Sequence, residues 1–203
     1  MSEAPAHGKN HRLFVALEPP DAVRRRVAAL AVELRRAAGR AADDVRWVPP
    51  ENVHLTLQFL GAVPEERVAD VEAAVRAAAG QVRPLSLEVK GVGGFPNARR
   101  PRVVWAGLQG DTEALAGLVR DLGRRLAPLG FPPEDRAFSA HLTLGRARDA
   151  RGAPGLAGAL AHAAEAPPTP WRAGELVLVE SHLSPRGPRY EAIARAPFSH
   201  TSA

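Results

Sequence analysis

The tetrapeptide HLTL occurs twice, at residues 54–57 and again at 141–144. Side chains alternate along an extended chain, so each histidine shares a face with the threonine two residues on. Two such strands facing each other would gather two imidazoles and two hydroxyls around one small volume. Imidazole titrates near pH ~6.5, so at working pH one ring can be neutral and the other protonated. That is a general base and a general acid, with hydroxyls able to donate to an anion held between them. Cleavage of a phosphodiester needs such a set. A proton leaves the nucleophile on one side of phosphorus, another is supplied to the departing oxygen opposite, and donors stabilise the non-bridging oxygens. A metal centre fits less well. Two histidines are too few ligands, and no carboxylate or cysteine stands at matching spacing. The chain has no cysteine, which excludes disulfides, thiolate sites and a cysteine nucleophile. It also lacks the GxSxG elbow of serine hydrolases and any nucleotide-binding motif. Neither a metal nor a cofactor is expected.

The elements that must position these residues are legible from periodicity. Arg12–Leu17 reads as an apolar strand. A helix follows Pro19 and Pro20, with Asp21 in its first turn, a buried stripe of Val23, Val27, Leu30 and Leu34, and Gly39 as its stop. Val53–Leu60 alternates strictly. Val53, Leu55, Leu57 and Phe59 should face a core, and His54, Thr56 and Gln58 the other way, until Gly61 ends the strand. Pro64 opens a second helix with Val68, Val71 and Val75 inward. Leu85–Val92 and Val103–Leu108 read as strands around a loop rich in glycine, proline and arginine, Gly93–Arg102. Asp111 is placed to cap a third helix, with Leu115, Leu118, Leu122 and Leu126 inside. Phe138–Leu144 alternates again, with Ser139, His141 and Thr143 on the polar face. Residues 152–166 are helical by composition, and Glu175–Leu183 and Tyr190–Arg195 are strands joined by a turn.

Strand, helix and HLTL strand thus occur in the same order twice. The expected fold is α+β: a duplicated two-lobe architecture whose antiparallel sheets form a central cleft, with helices outside, related by a rough two-fold axis. The 203 residues suit one domain of two lobes, expected over residues 12–197 with tails at 1–11 and 198–203. No apolar run reaches the ~20 residues of a membrane helix, and the first eleven residues lack an apolar signal core. A cytoplasmic monomer is expected. The net charge of +5 suits a polyanionic partner. It equally suits a biased composition: lysine occurs only at positions 9 and 90, and the other positive charges are arginine.

With these blocks in order, the chain resembles the two-histidine phosphoesterase superfamily, and within it the RNA 2′,3′-cyclic phosphodiesterases historically called the 2′-5′ RNA ligase family. RLFVALEPPDAVR resembles the family's opening strand and helix, and VRWVPPENVHLTLQFLG its first motif block. GGFPNARRPRVVWAGL resembles the central hairpin, and FSAHLTLGR and the closing RGPRYEAIA are similar as well. The resemblance implies hydrolysis of an RNA terminal 2′,3′-cyclic phosphate to a 2′-phosphate, without metal. His54 matches the family's general acid and His141 its general base. Thr56, Thr143 and Arg146 match phosphate-binding residues. Two positions depart from the pattern: Ala140 where proline is frequent, and Gly145 where alanine is common. Arg146 poses a conflict, because strict alternation puts it on the Leu142 and Leu144 face, where an unpaired guanidinium would be costly. Either the strand ends at Gly145 and the chain turns Arg146 into the site, as the resemblance implies, or Arg146 is a solvated surface residue.

Other residues carry open alternatives. Phe95 could stack on a base or plug its loop onto the core. Arg99, Arg100 and Arg102 could steer an RNA backbone or be solvated. Tyr190 could border the cleft or pack, and His182 could approach the site from its strand. Two further functions share the motif chemistry. One is joining of a 2′,3′-cyclic end to a 5′-hydroxyl without ATP, the same acid and base running in reverse. The other is a nucleotide- or RNA-binding module without turnover, against which both intact motifs speak.

Overall fold

The computed structural model describes residues 9–163, 167–185 and 187–199. Among these described residues nine strands form two antiparallel sheets. The first sheet has the order β3-β1-β8-β9, from β1 (Asn10–Leu17), β3 (Leu55–Pro64), β8 (Glu175–His182) and β9 (Arg189–Pro197). The second has the order β2-β6-β5-β4-β7. Its strands are β2 (Val45–Trp47), β4 (Leu85–Phe95), β5 (Val103–Gly110), β6 (His141–Ala147) and β7 (Thr169–Ala173). The expected α+β duplication is present in these orders. Each HLTL strand, β3 or β6, pairs antiparallel with the strand before a helix, β1 or β5. Each is then continued by two more strands.

The two sheets are not the two halves of the chain. The closing strands β8 and β9 return beside β1, so the first sheet joins both ends of the sequence. The helices cross over as well. Helix α1 (Asp21–Ala38) leaves the first sheet and packs with α4 (Ala157–Ala163) against strands of the second. Helix α3 (Thr112–Leu126) leaves the second and packs on α2 (Glu65–Ala79), which lies against the first. The apolar stripes read from periodicity are the buried ones: Val23, Val27, Leu30 and Leu34 on α1, and Leu115, Leu118, Leu122 and Leu126 on α3. They meet the sheets' inner residues in one continuous core. Among the described residues no helix is long and apolar enough to cross a membrane.

Several expected boundaries move. Asn10 and His11, expected in the N-terminal tail, pair with Pro64 and Val63, and His11 Nδ1 lies 2.9 Å from Glu180 Oε1. At the other end Phe198 is buried, with its N–H on the Gly174 carbonyl. Ser199 hydrogen-bonds to Val82. The packed unit therefore runs past 197. Residues 1–8 and 200–203 lie outside the described residues, as do 164–166 of the expected 152–166 helix, whose described part is a 3₁₀ turn followed by α4. Strand β3 passes through Gly61, whose positive φ of 73° absorbs an irregularity in the pairing with β1. Strand β4 extends to Phe95, so Gly93, Gly94 and Phe95 of the expected glycine-rich loop are paired backbone. Asp111 does not cap α3 with its side chain. Its carboxylate accepts from the Ser86 N–H at 2.8 Å, tying the β5–α3 turn to β4. Two edge strands had no visible signal: β2 is three residues long, and β7 contains Pro170, which an edge tolerates.

Candidate active site

Both motif histidines enter their strands in the same way. His54 follows a 3₁₀ turn at Pro50–Asn52, and its Nδ1 lies 2.7 Å from the Asn52 carbonyl. His141 opens β6, and its Nδ1 lies 2.7 Å from the Ser139 carbonyl. A carbonyl only accepts, so Nδ1 carries the proton in each ring. Each Nε2 is left to accept a proton when neutral or donate one when charged. The Asn52 side chain anchors this geometry, donating from Nδ2 to the Pro188 carbonyl at 3.0 Å.

The strict alternation expected beyond the threonines does not hold, and the same departure occurs in both copies. In β3, Ala16 pairs with Thr56 and Val15 with Gln58, which leaves Leu57 as the extra residue of a β-bulge. In β6, Trp105 pairs with Thr143 and Val104 with Gly145, which leaves Leu144 extra. An extra residue inverts the facing of everything after it. Gln58, expected beside His54, is buried, and its Nε2 donates to the Phe131 and Pro132 carbonyls. Phe59, expected in the core, is 47% exposed on the His54 face, its ring centroid 5.6 Å from that of Phe14. Arg146 is resolved by the same device. The strand does not end at Gly145, and Arg146 nonetheless stands exposed on the face of His141 and Thr143.

Gly145 is what lets β2 close over this bulge. A Cβ there would come within 2.5 Å of Val45 Cγ1, and Val45 is buried. Gly145→Ala should therefore cost about 1–3 kcal/mol of stability by overpacking. Denaturant melts of Gly145→Ala and of Gly145→Ala with Val45→Ala measure this. The double variant is expected to be more stable than the sum of the two single losses, and strict additivity would show that the contact is not the cause.

Aromatic rings surround both motif histidines. On the first sheet the His54 ring lies 4.7 Å from Phe14 and meets Tyr190 edge-on at 5.0 Å, over a small cluster of Phe14, Ala16, Val177 and Val179. Phe14 carried no signal, because RLFVAL is apolar on both faces and shows no alternation. On the second sheet Phe95 meets His141 edge-on at 5.0 Å and lies 5.3 Å from Trp105. Of the expected RNA-contacting residues, Tyr190 and Phe95 thus touch the motif histidines. Arg99, Arg100 and Arg102 are exposed on the loop after β4, the first two donating their backbone N–H groups to Asn97 Oδ1. His182 does not approach the site. Val177 and Val179 face the cleft, so Glu180 and His182 face away, and His182 Nε2 lies 3.3 Å from Glu191.

Burial pushes the His54 imidazole below its ordinary value of 6.5, against the opposing pull of the Asn52 hydrogen bond and the Glu18 charge. Burial lowers His141 as well, against its Ser139 hydrogen bond. The Arg146 guanidinium lowers both, and it also acts on the Tyr190 hydroxyl, which burial raises. One cation thus acts on residues of both sheets. Each ring, held through Nδ1, presents its Nε2 for proton transfer.

The sequence pattern of the family described as LigT like Phosphoesterase matches residues 17–105 and 108–190. The chain is 37% identical over 180 residues to an RNA 2′,3′-cyclic phosphodiesterase of Archaeoglobus fulgidus, covering 89% of this chain and 96% of the relative. It is 34% identical over 179 residues to one of Methanothermobacter thermautotrophicus, covering 88% and 94%. Among solved structures, E. coli LigT complexed with 3′-AMP superposes with a TM-score of 0.69 at 26% identity, over 95% of this chain and 100% of that one. A Thermus thermophilus protein superposes with a TM-score of 0.73 at 28% identity, over 92% and 97%. The duplicated fold, the paired motifs and these matches agree, and the chain belongs to the LigT-like phosphoesterases.

Proposed function

We propose that the protein hydrolyses the 2′,3′-cyclic phosphate at the end of an RNA, using His54 as general acid and His141 as general base. The observation that carries this reading is the matched pair of rings, each fixed through Nδ1 to the carbonyl two residues before it. The relatives' printed activity supplies the substrate class. A water oxygen bonds to phosphorus as its proton passes to His141 Nε2. The bond from phosphorus to the 3′ oxygen breaks on the opposite side, and that oxygen takes the proton of His54 Nε2. The product carries a 2′-phosphate and a 3′-hydroxyl, and solvent exchange resets the two rings. Thr56, Thr143 and Arg146 donate to the non-bridging oxygens, whose charge grows in the transition state. The anion itself stabilises the imidazolium of His54, offsetting the depression that burial imposes. Tyr190 and Phe14 hold His54, and Phe95 holds His141, by ring contacts.

Both proton transfers are assigned to side chains, so turnover should not need a divalent ion. With an oligonucleotide ending in a 2′,3′-cyclic phosphate, hydrolysis in EDTA should equal that in magnesium. Mapping of the product phosphate should place it on the 2′ oxygen. Activity abolished by EDTA and restored by a divalent ion would remove the mechanism, and a 3′-phosphate product would exchange the leaving oxygen.

A further inference from the structure

Arg146 has a neighbour that periodicity did not single out. Directly across from it on β2 is Arg46. The residues flanking Arg46 turn inward: Val45 is buried and Trp47 donates its Nε1–H to the Ala42 carbonyl at 3.0 Å. Arg46 therefore projects to the opposite face, the one that carries Arg146. Side chains directly opposite on antiparallel strands stand with Cβ atoms about 4.5–5.5 Å apart, and like charges there are destabilising. Neither guanidinium has a carboxylate partner among the described residues. An exposed pair of uncompensated cations at a sheet edge is an arrangement that an anion relieves.

The two arginines stand on different strands: Arg146 is on β6, the strand of His141, and Arg46 is on the neighbouring edge strand β2. Arg46 lies one strand further out, ~4.8 Å. Along the same edge, where the Arg148 N–H meets the Asp44 carbonyl, the surface opens into a cavity of about 380 Å³ lined by Arg100, Arg148 and Arg151 together with Asp44 and Asp149. Asp149 already holds Arg151, and Arg148 donates to the Asp43 carbonyl. The cavity therefore adds no second built contact.

We infer that Arg46 binds the phosphodiester next to the terminal cyclic phosphate, and so makes the enzyme prefer an oligonucleotide over a cyclic mononucleotide. The inference rests on the reading of the site given above. The backbone leaves the cleft across the Arg146–Arg46 row, each guanidinium taking one phosphate. Loss of one hydrogen bond to a charged group sets the expected loss at about tenfold or more.

The test compares kcat/KM on adenosine 2′,3′-cyclic phosphate with that on a trinucleotide ending in a 2′,3′-cyclic phosphate, for the wild type and Arg46→Gln. The trinucleotide-to-mononucleotide ratio should fall at least about tenfold. The slope of log(kcat/KM) for the trinucleotide against log salt should become shallower by about one contact. A ratio that stays at its wild-type value overturns the inference, even if both rates drop together, because a structural role would affect both substrates alike. If the wild type turns over neither substrate, it is the reading of the site that has failed. Fluorescence anisotropy with a single-stranded RNA ending in a 3′-phosphate then decides the role of Arg46. Binding weakened about tenfold in Arg46→Gln sustains the contact, and unchanged binding removes it.

Discussion

His54→Ala and His141→Ala are each expected to lose at least ~10²-fold in turnover of a cyclic phosphate end, the lower bound for a general acid or base. The two variants should differ in what restores them. A substrate whose leaving group departs without a proton should recover most of the rate in the variant lacking the acid, and none in the variant lacking the base. Selective rescue of His54→Ala is the expected result. Rescue of His141→Ala alone would exchange the two roles, and rescue of neither would reduce both rings to phosphate binding. The two variants also differ structurally. His141 is flanked by one ring, whereas His54 covers Phe14 and abuts Tyr190. Removing the His54 ring therefore uncovers apolar surface, contrary to what a purely polar strand face implied. His54→Gln, which keeps more of the side-chain volume, separates that packing loss from lost acid catalysis, and circular dichroism melts of the two variants measure the difference.

Arg146→Gln should lower kcat/KM by about 10²–10³-fold, the range for removing one donor to developing oxyanion charge, and leave the fold intact because the side chain is exposed. It should also move the pH profile in a stated direction. Burial and the Arg146 charge hold both imidazoles of the free enzyme below 6.5. The base loses activity as pH falls through the lower value, and the acid as pH rises through the upper one. The kcat/KM bell of the wild type therefore centres on the acid side of 6.5. Without the guanidinium both values rise, so both limbs should shift toward higher pH. The limbs belong to the coupled pair and not to one ring each. A rate loss with an unmoved profile would mean that Arg146 binds phosphate from too far away to act on the rings.

The amino-acid sequence by itself determined the two HLTL polar faces, the repeated order of strand, helix and strand, and the buried stripes of the helices. These are local patterns with a fixed period, and a period of 2 or 3.6 survives whatever the chain packs against. Where two readings of a residue differed only in facing, the sequence could not choose. The bulges at Leu57 and Leu144 decided them, carrying Phe59 and Arg146 onto the faces of the motif histidines and Gln58 into the core. A bulge adds one residue against a partner strand distant in sequence, and HLTLQF or HLTLGR reads the same with or without it. Phe14 was hidden for a different reason: RLFVAL is apolar throughout because one face meets the helices and the other lies beneath His54. Tertiary structure alone also decided that the two ends of the chain share a sheet. It likewise decided that Arg46, on a strand too short to show any period, stands beside Arg146, because strand partnership is set by the closing of the whole fold and not by any local run of residues.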